Sequence, residues 1–442
     1  MSDQTLIAVP EDTQKPRLSW RELSTYFGPA FIASIAYIDP GNFGANIEGG
    51  SRFGYKLLWV LLWSNLMAML VQYLSAKLGI ATGKTLPQNC RDLFPRWLNI
   101  LSWAAAEIAA IATDLAEFLG AALGFYLLLG PFMAAHGIGK THVMLAAALL
   151  TTVFVFLILA MELRGFRHLE WTIIGFVCII GLCYAIEIFL VHPDWGAVAH
   201  GVVVPHLDRS AIYIAVSMLG ATVMPHVVYL HSSLVQPRLR TFERKRKTIT
   251  QTADFRRRYL RFELLDVLVA MNGAWLINSA MVIMAAGAFA GLAAHGLEPV
   301  TSIEQAHQTL GPLLGPMSAV MFAVALLCSG LSSSTVGVMA GQVIIEGFLN
   351  IKFPIYLRRL ITIIPALIVI AVGLDPLKIL ILSQVVLSFA LPFALVPLIW
   401  LTSRTKLMGE FTNGRFARTA GWATVSLILA LNVLLLWQTF TV

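Results

Sequence analysis

Two short segments of the 442-residue chain carry donor groups that suit a metal ion, and each also contains residues that interrupt helices. The first places Asp39 and Asn42 around a Pro-Gly pair, and the second places Met224 directly before a proline. Carboxylate and carboxamide oxygens are hard ligands, whereas a thioether is soft. Calcium and magnesium prefer shells made only of oxygen, so this mixed set favours manganese, iron, cobalt or cadmium.

A second group of residues suits the binding and release of protons. Glu107, Asp114 and Glu117 are separated by seven and three residues, which at about 100° per residue places them within an arc of roughly 80° on one helix face. His226 adds an imidazole, a group that changes charge near physiological pH in water. Structural roles are open too, because the acids can pair with basic residues between helices and the histidine can be a hydrogen-bonded packing residue.

Composition places these residues in a membrane. The chain is 58% hydrophobic and 12% charged, against about 25% charged residues in soluble domains, and its mean hydropathy is +0.77. A helix needs about 20 residues to cross the bilayer core. We predict eleven spans, over residues 26–48, 55–80, 98–128, 142–162, 170–191, 210–234, 263–292, 312–346, 355–373, 376–402 and 417–438.

The distribution of basic residues predicts the orientation. With the polar tail 1–25 in the cytoplasm, 26 of the 31 Lys and Arg residues fall on the cytoplasmic side and 5 on the other, as the positive-inside rule requires. The tail lacks the pattern of a secretory signal, so the first span is expected to remain. Because topology accounts for the pI of 9.3, nucleic-acid binding is not expected.

The two donor segments lie inside the first and sixth predicted spans, where Pro and Gly cannot sustain a helix. Backbone leaves a helix at membrane depth only where it is buried in protein or lines a cavity. Unwinding at both breaks would free the carbonyls of Ala36 and Ala221 to join the donor side chains. A plainer interpretation of the first break is a turn in which Asp39 caps a short helix.

The two breaks lie five spans apart. Because five is an odd number, the two spans that contain them cross the membrane in opposite directions. We therefore predict an inverted repeat of spans one to five, about 26–191, and spans six to ten, about 210–402, followed by an eleventh span, 417–438. Residues 26–442 would form a single transmembrane domain. Both breaks would then meet near the bilayer midplane.

Several motifs resemble those of Nramp divalent-metal transporters, especially the bacterial proton-dependent manganese transporters. The resemblance runs along nearly the whole chain, and its motifs are Asp39-Pro-Gly-Asn42, Met224-Pro-His226, Ala112-Thr-Asp-Leu-Ala-Glu-Phe118, Arg358-Arg359 and Ser383-Gln384. It implies an all-α leucine-transporter fold with spans one and six unwound. It also implies symport of manganese(II) and other divalent transition metals, such as iron, cadmium and cobalt, with protons into the cytoplasm.

The resemblance assigns residues to two roles. The metal ligands would be Asp39, Asn42, the sulfur of Met224 and the carbonyls of Ala36 and Ala221, with Gln384 joining in some conformations. The proton route would include His226, Asp114 and Glu117 and lead toward Arg358 and Arg359, with Glu107 on the same acidic face. The two arginines are equally interpretable from the sequence as cytoplasmic topology anchors.

The main rival within transport is an amino-acid or organic-cation symporter of the same fold, whose half-helix N-termini would hold a carboxylate. Asp39 would repel that carboxylate. An intramembrane enzyme is disfavoured because neither an HExxH nor a GxSxG motif is present. We expect no resident cofactor and no obligate protein partner, with the metal ion, protons and the lipid bilayer as the partners. The expected location is a bacterial inner membrane with the C-terminus outside.

Overall fold

The computed structural model describes residues 28–162, 166–237, 239–240, 253–290, 300 and 302–441. Within these ranges the chain is helical and contains no β-strand. The predicted tail 1–25 and most of the basic loop before residue 253 lie outside the described residues. In chain order the helices are α1 (Pro29–Ala36), α2 (Pro40–Phe53), α3 (Leu58–Thr82), α4 (Leu86–Leu93), α5 (Arg96–Ala135), α6 (Lys140–Glu162), α7 (Phe166–Val191), α8 (Trp195–Val203), α9 (Ile212–Thr222), α10 (Pro225–Leu234), α11 (Ala253–Phe289), α12 (Ile303–Leu314), α13 (Pro316–Leu349), α14 (Ile355–Val372), α15 (Pro376–Thr402), α16 (Thr405–Met408) and α17 (Arg415–Thr441).

Ten helical stretches of the described chain are long and apolar enough to cross a membrane. One of them runs from residue 40 to residue 82 and so joins α2 to α3, which we predicted as parts of two spans. The predicted number of eleven spans therefore stays a prediction. The predicted start of the eighth span at residue 312 is wrong, because the chain breaks at Gly315, whose φ of 97° favours glycine, and α13 begins at Pro316.

Both predicted helix breaks are present. The helix α1 ends at Ala36 and α2 begins at Pro40, with Asp39 as its N-cap residue. In the second break, α9 ends at Thr222 and α10 begins at Pro225. In each case the proline is the first residue of the new helix, where a missing N–H costs nothing. The depth of the two breaks in the bilayer stays a prediction.

The helices α5 and α13 form the most extensive helix pair of the described chain. Glycines permit the close contact: a Cβ on Gly330 would lie 2.5 Å from the backbone nitrogen of Ala121, and one on Gly124 would lie 2.7 Å from Cα of Leu327. Small residues let helix backbones approach closely in membranes, where packing replaces the hydrophobic effect as the cause of helix association. This pair is the scaffold against which α1, α2 and α10 are placed.

Replacement of Gly330 by alanine should therefore destabilise the helix pair. The added Cβ would also lie 2.7 Å from Cβ of Ala121, and overpacking of this kind costs about 1–3 kcal/mol. We expect Gly330→Ala to lower the thermal unfolding temperature in detergent. The matched control is Gly273→Ala on α11, where an added Cβ meets no atom within 4 Å. Equal unfolding temperatures for the two variants would contradict the close contact.

Candidate metal-binding site

Asp39 is the centre of the first break and is fully buried. Its Oδ1 accepts hydrogen bonds from the backbone nitrogen and the side-chain nitrogen of Asn42, at 2.9 and 2.7 Å. Its Oδ2 accepts from the backbone nitrogen of Gly41 at 3.1 Å and from Nε2 of Gln384 at 3.2 Å. All four partners are donors, so the geometry fits a carboxylate anion. The predicted helix cap and the predicted site residue are thus the same side chain.

Asn42 joins the two breaks directly. Its side-chain nitrogen lies 2.7 Å from Asp39 and also donates to the carbonyl of Ala221 at 3.0 Å. Ala221 is 179 residues away in the chain, on the last turn of α9. The structure therefore brings Asp39 and Asn42 of the first segment to the carbonyl of Ala221 in the second. Their role as metal ligands stays a prediction.

The prolines explain why the carbonyls of Ala36 and Ala221 have no backbone N–H donor within their own helices. A helical carbonyl normally accepts from the N–H four residues later. Four residues after Ala36 is Pro40, and four residues after Ala221 is Pro225, and proline has no N–H to donate. This i, i+4 relation is legible in the sequence and identifies both carbonyls independently of any resemblance.

The remaining side chains of the site are enclosed as well. Met224 is the N-cap residue of α10, three residues after Ala221, and Met224, Asn42 and Gln384 are all fully buried. The side-chain oxygens of Asn42 and Gln384 have no hydrogen-bond partner among the described residues. Both side-chain amides direct their nitrogen toward Asp39. Rotation of each amide would instead direct its oxygen toward a cation bound beside Asp39.

A conventional metal cluster is not the basis of this site. Within the described ranges, no three His, Cys, Asp or Glu side chains are placed to hold a metal ion together. The predicted site instead combines one carboxylate with amide and carbonyl oxygens and a thioether. This donor set fits a borderline divalent transition metal better than calcium, which prefers several carboxylates.

Two residues outside the predicted site hold the other carbonyls of the first break. Asn278 donates to the carbonyl of Tyr37 at 2.6 Å, and Ser329 donates to the carbonyl of Ile38 at 2.5 Å. Asn278 also accepts from Asn46 at 2.9 Å, so it connects α11 to both the first break and α2. Ser329 was missed, and the only sequence signal was a polar residue within an apolar span.

The acidic face of α5 meets the two arginines of α14. Oε1 of Glu107 lies 2.8 Å from a guanidinium nitrogen of Arg358, and Oδ1 of Asp114 lies 3.4 Å from one of Arg359. Asp114 and Arg359 are fully buried. The structural pairing that the sequence left open is therefore present. A buried ion pair of this kind is compatible with proton transfer. The cost of keeping its charges out of water offsets much of the attraction between them.

Glu117 completes this face and points toward the break. Its Oε2 and Oδ1 of Asp114 lie 2.4 and 2.9 Å from the position that a Cβ on Gly337 of α13 would occupy. Neither oxygen of Glu117 has a hydrogen-bond partner among the described residues, and the group is within electrostatic range of Asp39. Gly337, which sequence analysis missed, thus provides the space that two neighbouring carboxyl groups need.

His226 connects the second break to the same helix. Its Nδ1 lies 3.2 Å from the hydroxyl of Thr113, the residue before Asp114. Its Nε2 is buried and has no partner in the part of the chain that the structure describes. The imidazole therefore combines a packing contact with one nitrogen that is available for a proton.

Asp39, Asn42, Met224 and Gln384 are fully buried, and separate cavities lie near the two ends of α5. A cavity of about 390 Å³ reaches Leu119 of α5, next to Gly120, which packs on Pro40. Its charged lining residues are Lys140, Glu304 and Asp375. A cavity of about 240 Å³ at the opposite end is lined by residues that include Gln88, Gln236, Arg240 and Glu346.

Comparisons with known proteins agree with this geometry. A bacterial protein from Caldanaerobacter subterraneus subsp. tengcongensis, named divalent metal cation transporter MntH, is 49% identical over 94% of this chain and 93% of the relative. The crystal structure of the Eremococcus coleocola manganese transporter, in complex with an aromatic bis-isothiourea substituted compound, is similar with a TM-score of 0.80 and 33% identity, over 96% of this chain and 87% of that one.

More distant structures bear on the fold alone. MhsT in complex with L-phenylalanine matches with a TM-score of 0.58 at 14% identity, over 93% of this chain and 97% of that one. The predicted leucine-transporter fold class is confirmed by these neighbours. The profile of the Nramp family, described as natural resistance-associated macrophage protein-like, matches residues 30–438. The chain therefore belongs to the Nramp family.

Proposed function

We propose that this protein carries manganese(II), and other divalent transition metals such as iron, cobalt and cadmium, into the cytoplasm together with protons. The observation that carries the proposal is the junction of the two breaks, where the side-chain nitrogen of Asn42 donates both to Asp39 and to the carbonyl of Ala221. The names of the relatives support divalent metals as the substrate class and manganese in particular. The membrane is a bacterial inner membrane, with the N-terminus in the cytoplasm and the C-terminus outside.

Metal binding requires a small rearrangement of the site. The amides of Asn42 and Gln384 exchange nitrogen for oxygen toward the cation, so that the metal replaces these two side-chain donors to Asp39 while the backbone N–H groups of Gly41 and Asn42 remain bonded. The carbonyls of Ala36 and Ala221 and the sulfur of Met224 complete the shell. The metal carries two positive charges and the site supplies one carboxylate, so an excess of positive charge remains at the site.

That excess charge couples the metal to protons. Glu117 lies within electrostatic range of Asp39, and a nearby cation favours the ionised form of a carboxyl group. Metal binding at Asp39 therefore favours release of a proton from the acidic face of α5. Asp114 and the pair formed by Glu107 and Arg358 extend this face toward the cytoplasmic start of α14.

Alternating access follows from the position of the breaks. The half-helix α1 ends at the first break and α10 begins at the second, so each can tilt relative to α2 and α9 without stretching a helical hydrogen bond across the proline. The closed site between the two cavities is then opened to one side at a time.

The rival amino-acid symporter is disfavoured by a specific contact. A substrate carboxylate would bind the free N–H groups at the start of α2. Those of Gly41 and Asn42 already donate to Asp39. The protein's own carboxylate therefore occupies the position that an amino-acid substrate would need.

Reconstitution in liposomes tests the proposal. We expect manganese influx that is stimulated by an inward proton gradient and accompanied by acidification of the interior, followed with an internal pH dye. Empty liposomes provide the control for leakage. Manganese influx without any acidification would remove proton coupling, and the absence of manganese influx combined with amino-acid uptake would favour the rival.

Asp39→Ala should reduce manganese influx to the level of empty liposomes, because it removes the only charged ligand that we propose for the site. Asp375→Ala is the matched control. Asp375 also precedes a proline and caps a helix, through a 3.0 Å bond to the backbone nitrogen of Leu377. Loss of a cap costs about 1 kcal/mol, so this control should fold and transport. Normal influx in the Asp39 variant would exclude the proposed site.

Met224→Ala should retain part of the manganese transport and lose discrimination against calcium and magnesium, because the soft ligand is gone. A loss of roughly tenfold in the selectivity ratio corresponds to about 1.4 kcal/mol. Competition of calcium with manganese influx measures the ratio. Met218→Ala, a fully buried methionine in α9, is the control for a simple cavity. Equal selectivity in both variants would mean that Met224 only packs.

A further inference from the structure

One carboxyl group buried in the helix bundle has no role in the site described above. Glu187 lies on α7 and none of its surface is exposed. Neither of its carboxylate oxygens has a hydrogen-bond partner among the described residues. The same residues include no Lys, Arg or His in ion-pair contact with it. Ionisable residues inside a membrane protein are costly and generally functional.

The groups that face Glu187 are polar but not cationic. On α7 itself they are Cys183 and Tyr184, one turn away, which feel its charge. On α13 the facing residue is Ser318, whose buried hydroxyl lies beside the carboxyl group. No charged or titratable side chain of the other described helices packed on α7 acts on it.

These surroundings decide which protonation state the closed structure accommodates. An ionised carboxylate without a counter-charge costs several kcal/mol when it is removed from water. The uncharged hydroxyl of Ser318 can hydrogen-bond to either form of the carboxyl group, so it does not supply the missing counter-charge. The closed contact between α7 and α13 therefore accommodates the protonated form, and the ionised form requires water to enter.

The location of Glu187 connects it both to solvent and to the site. It is four residues from the end of α7 at Val191, a distance of about 6 Å along a helix. Toward the site, the ring of Tyr184 packs edge-on against Phe43, with centroids 5.6 Å apart. Phe43 directly follows Asn42. Glu187 thus lies on the side toward which α2 runs, which is the external side in the predicted topology.

We propose that Glu187 binds a proton from the external solvent and that this proton permits the external side of the transporter to close over the loaded site. The proton passes from water to a carboxylate oxygen, and the neutral group is then buried between α7 and α13. Release occurs when this contact opens again. The direction of the proton rests on the proposed function, whereas the binding of the proton at Glu187 does not.

Infrared spectroscopy tests proton binding without any transport. In pH-difference spectra of the protein in lipid nanodiscs, we expect the carbonyl band of a protonated carboxyl group, and we expect Glu187→Gln to lack that band. Glu48→Gln is the matched control, because Glu48 is only partly buried and pairs with Arg52 at 2.6 Å. A spectrum of folded Glu187→Gln that equals the wild-type spectrum would overturn the proposal.

Manganese influx against external pH tests the consequence for transport. Glu187→Gln mimics the protonated state permanently, so its influx should rise less steeply than that of the wild type as the external solution is acidified, because only the proton route of α5 still responds, while Glu48→Gln keeps the wild-type profile. An unchanged profile in folded Glu187→Gln would overturn the role in closure.

A conservative variant covers the case in which Glu187→Gln does not fold. Glu187→Asp retains a titratable group on a shorter side chain, so its pH profile should be displaced from the wild-type profile, and an identical profile would overturn the proposal. Failure of the proposed function is distinguishable, because a wild-type protein without manganese influx would still show the infrared band.

Discussion

The absence of two N–H groups, those of Pro40 and Pro225, is the constraint on which the rest of the structure depends. Each proline leaves a carbonyl four residues earlier without its helical donor, and a carbonyl in a membrane must find another partner. The side-chain nitrogen of Asn42 satisfies the carbonyl of Ala221. The protein thereby uses an unavoidable defect of two helices to assemble polar atoms where lipid would otherwise exclude them.

Charged side chains that are buried in the helix bundle also need space that contains no solvent. Gly337 of α13 leaves room for Asp114 and Glu117, and Gly341 leaves room for the guanidinium of Arg358, which lies 2.1 Å from where its Cβ would be. Arg359 reaches Ser334 on the same helix. The glycine-containing face of α13 thus packs against α5 and α14 while it accommodates their ionisable side chains. The glycines of α13 have no side chains, and the space this leaves accommodates charged side chains of α5 and α14.

Much of the site was predictable because its residues break local rules. Asp39 and Asn42 interrupt an apolar span, and Met224 lies between a glycine and a proline, so polar residues and helix-breaking residues inside apolar spans single these positions out. The partners that complete the arrangement break no rule. Ser329 is an ordinary small residue of a membrane helix, and Gly337 is one of 33 glycines. Their roles depend on which residues of a distant helix face them, and a single sequence contains no information about those pairings.

The sequence by itself determined the membrane class and the two breaks, because length, hydropathy and the missing N–H of proline are local properties, and the ligand chemistry that it predicts follows from residue types at those breaks. Only the tertiary structure decided that Asn42 bonds Ala221 across 179 residues, that the acids of α5 pair with the arginines of α14, and that Glu187 is buried with no counter-charge among the described residues. It also placed the eighth-span helix start at Pro316, after Gly315. Contacts between helices depend on how the helix faces fit together. Hydropathy identifies each apolar span but does not specify that fit.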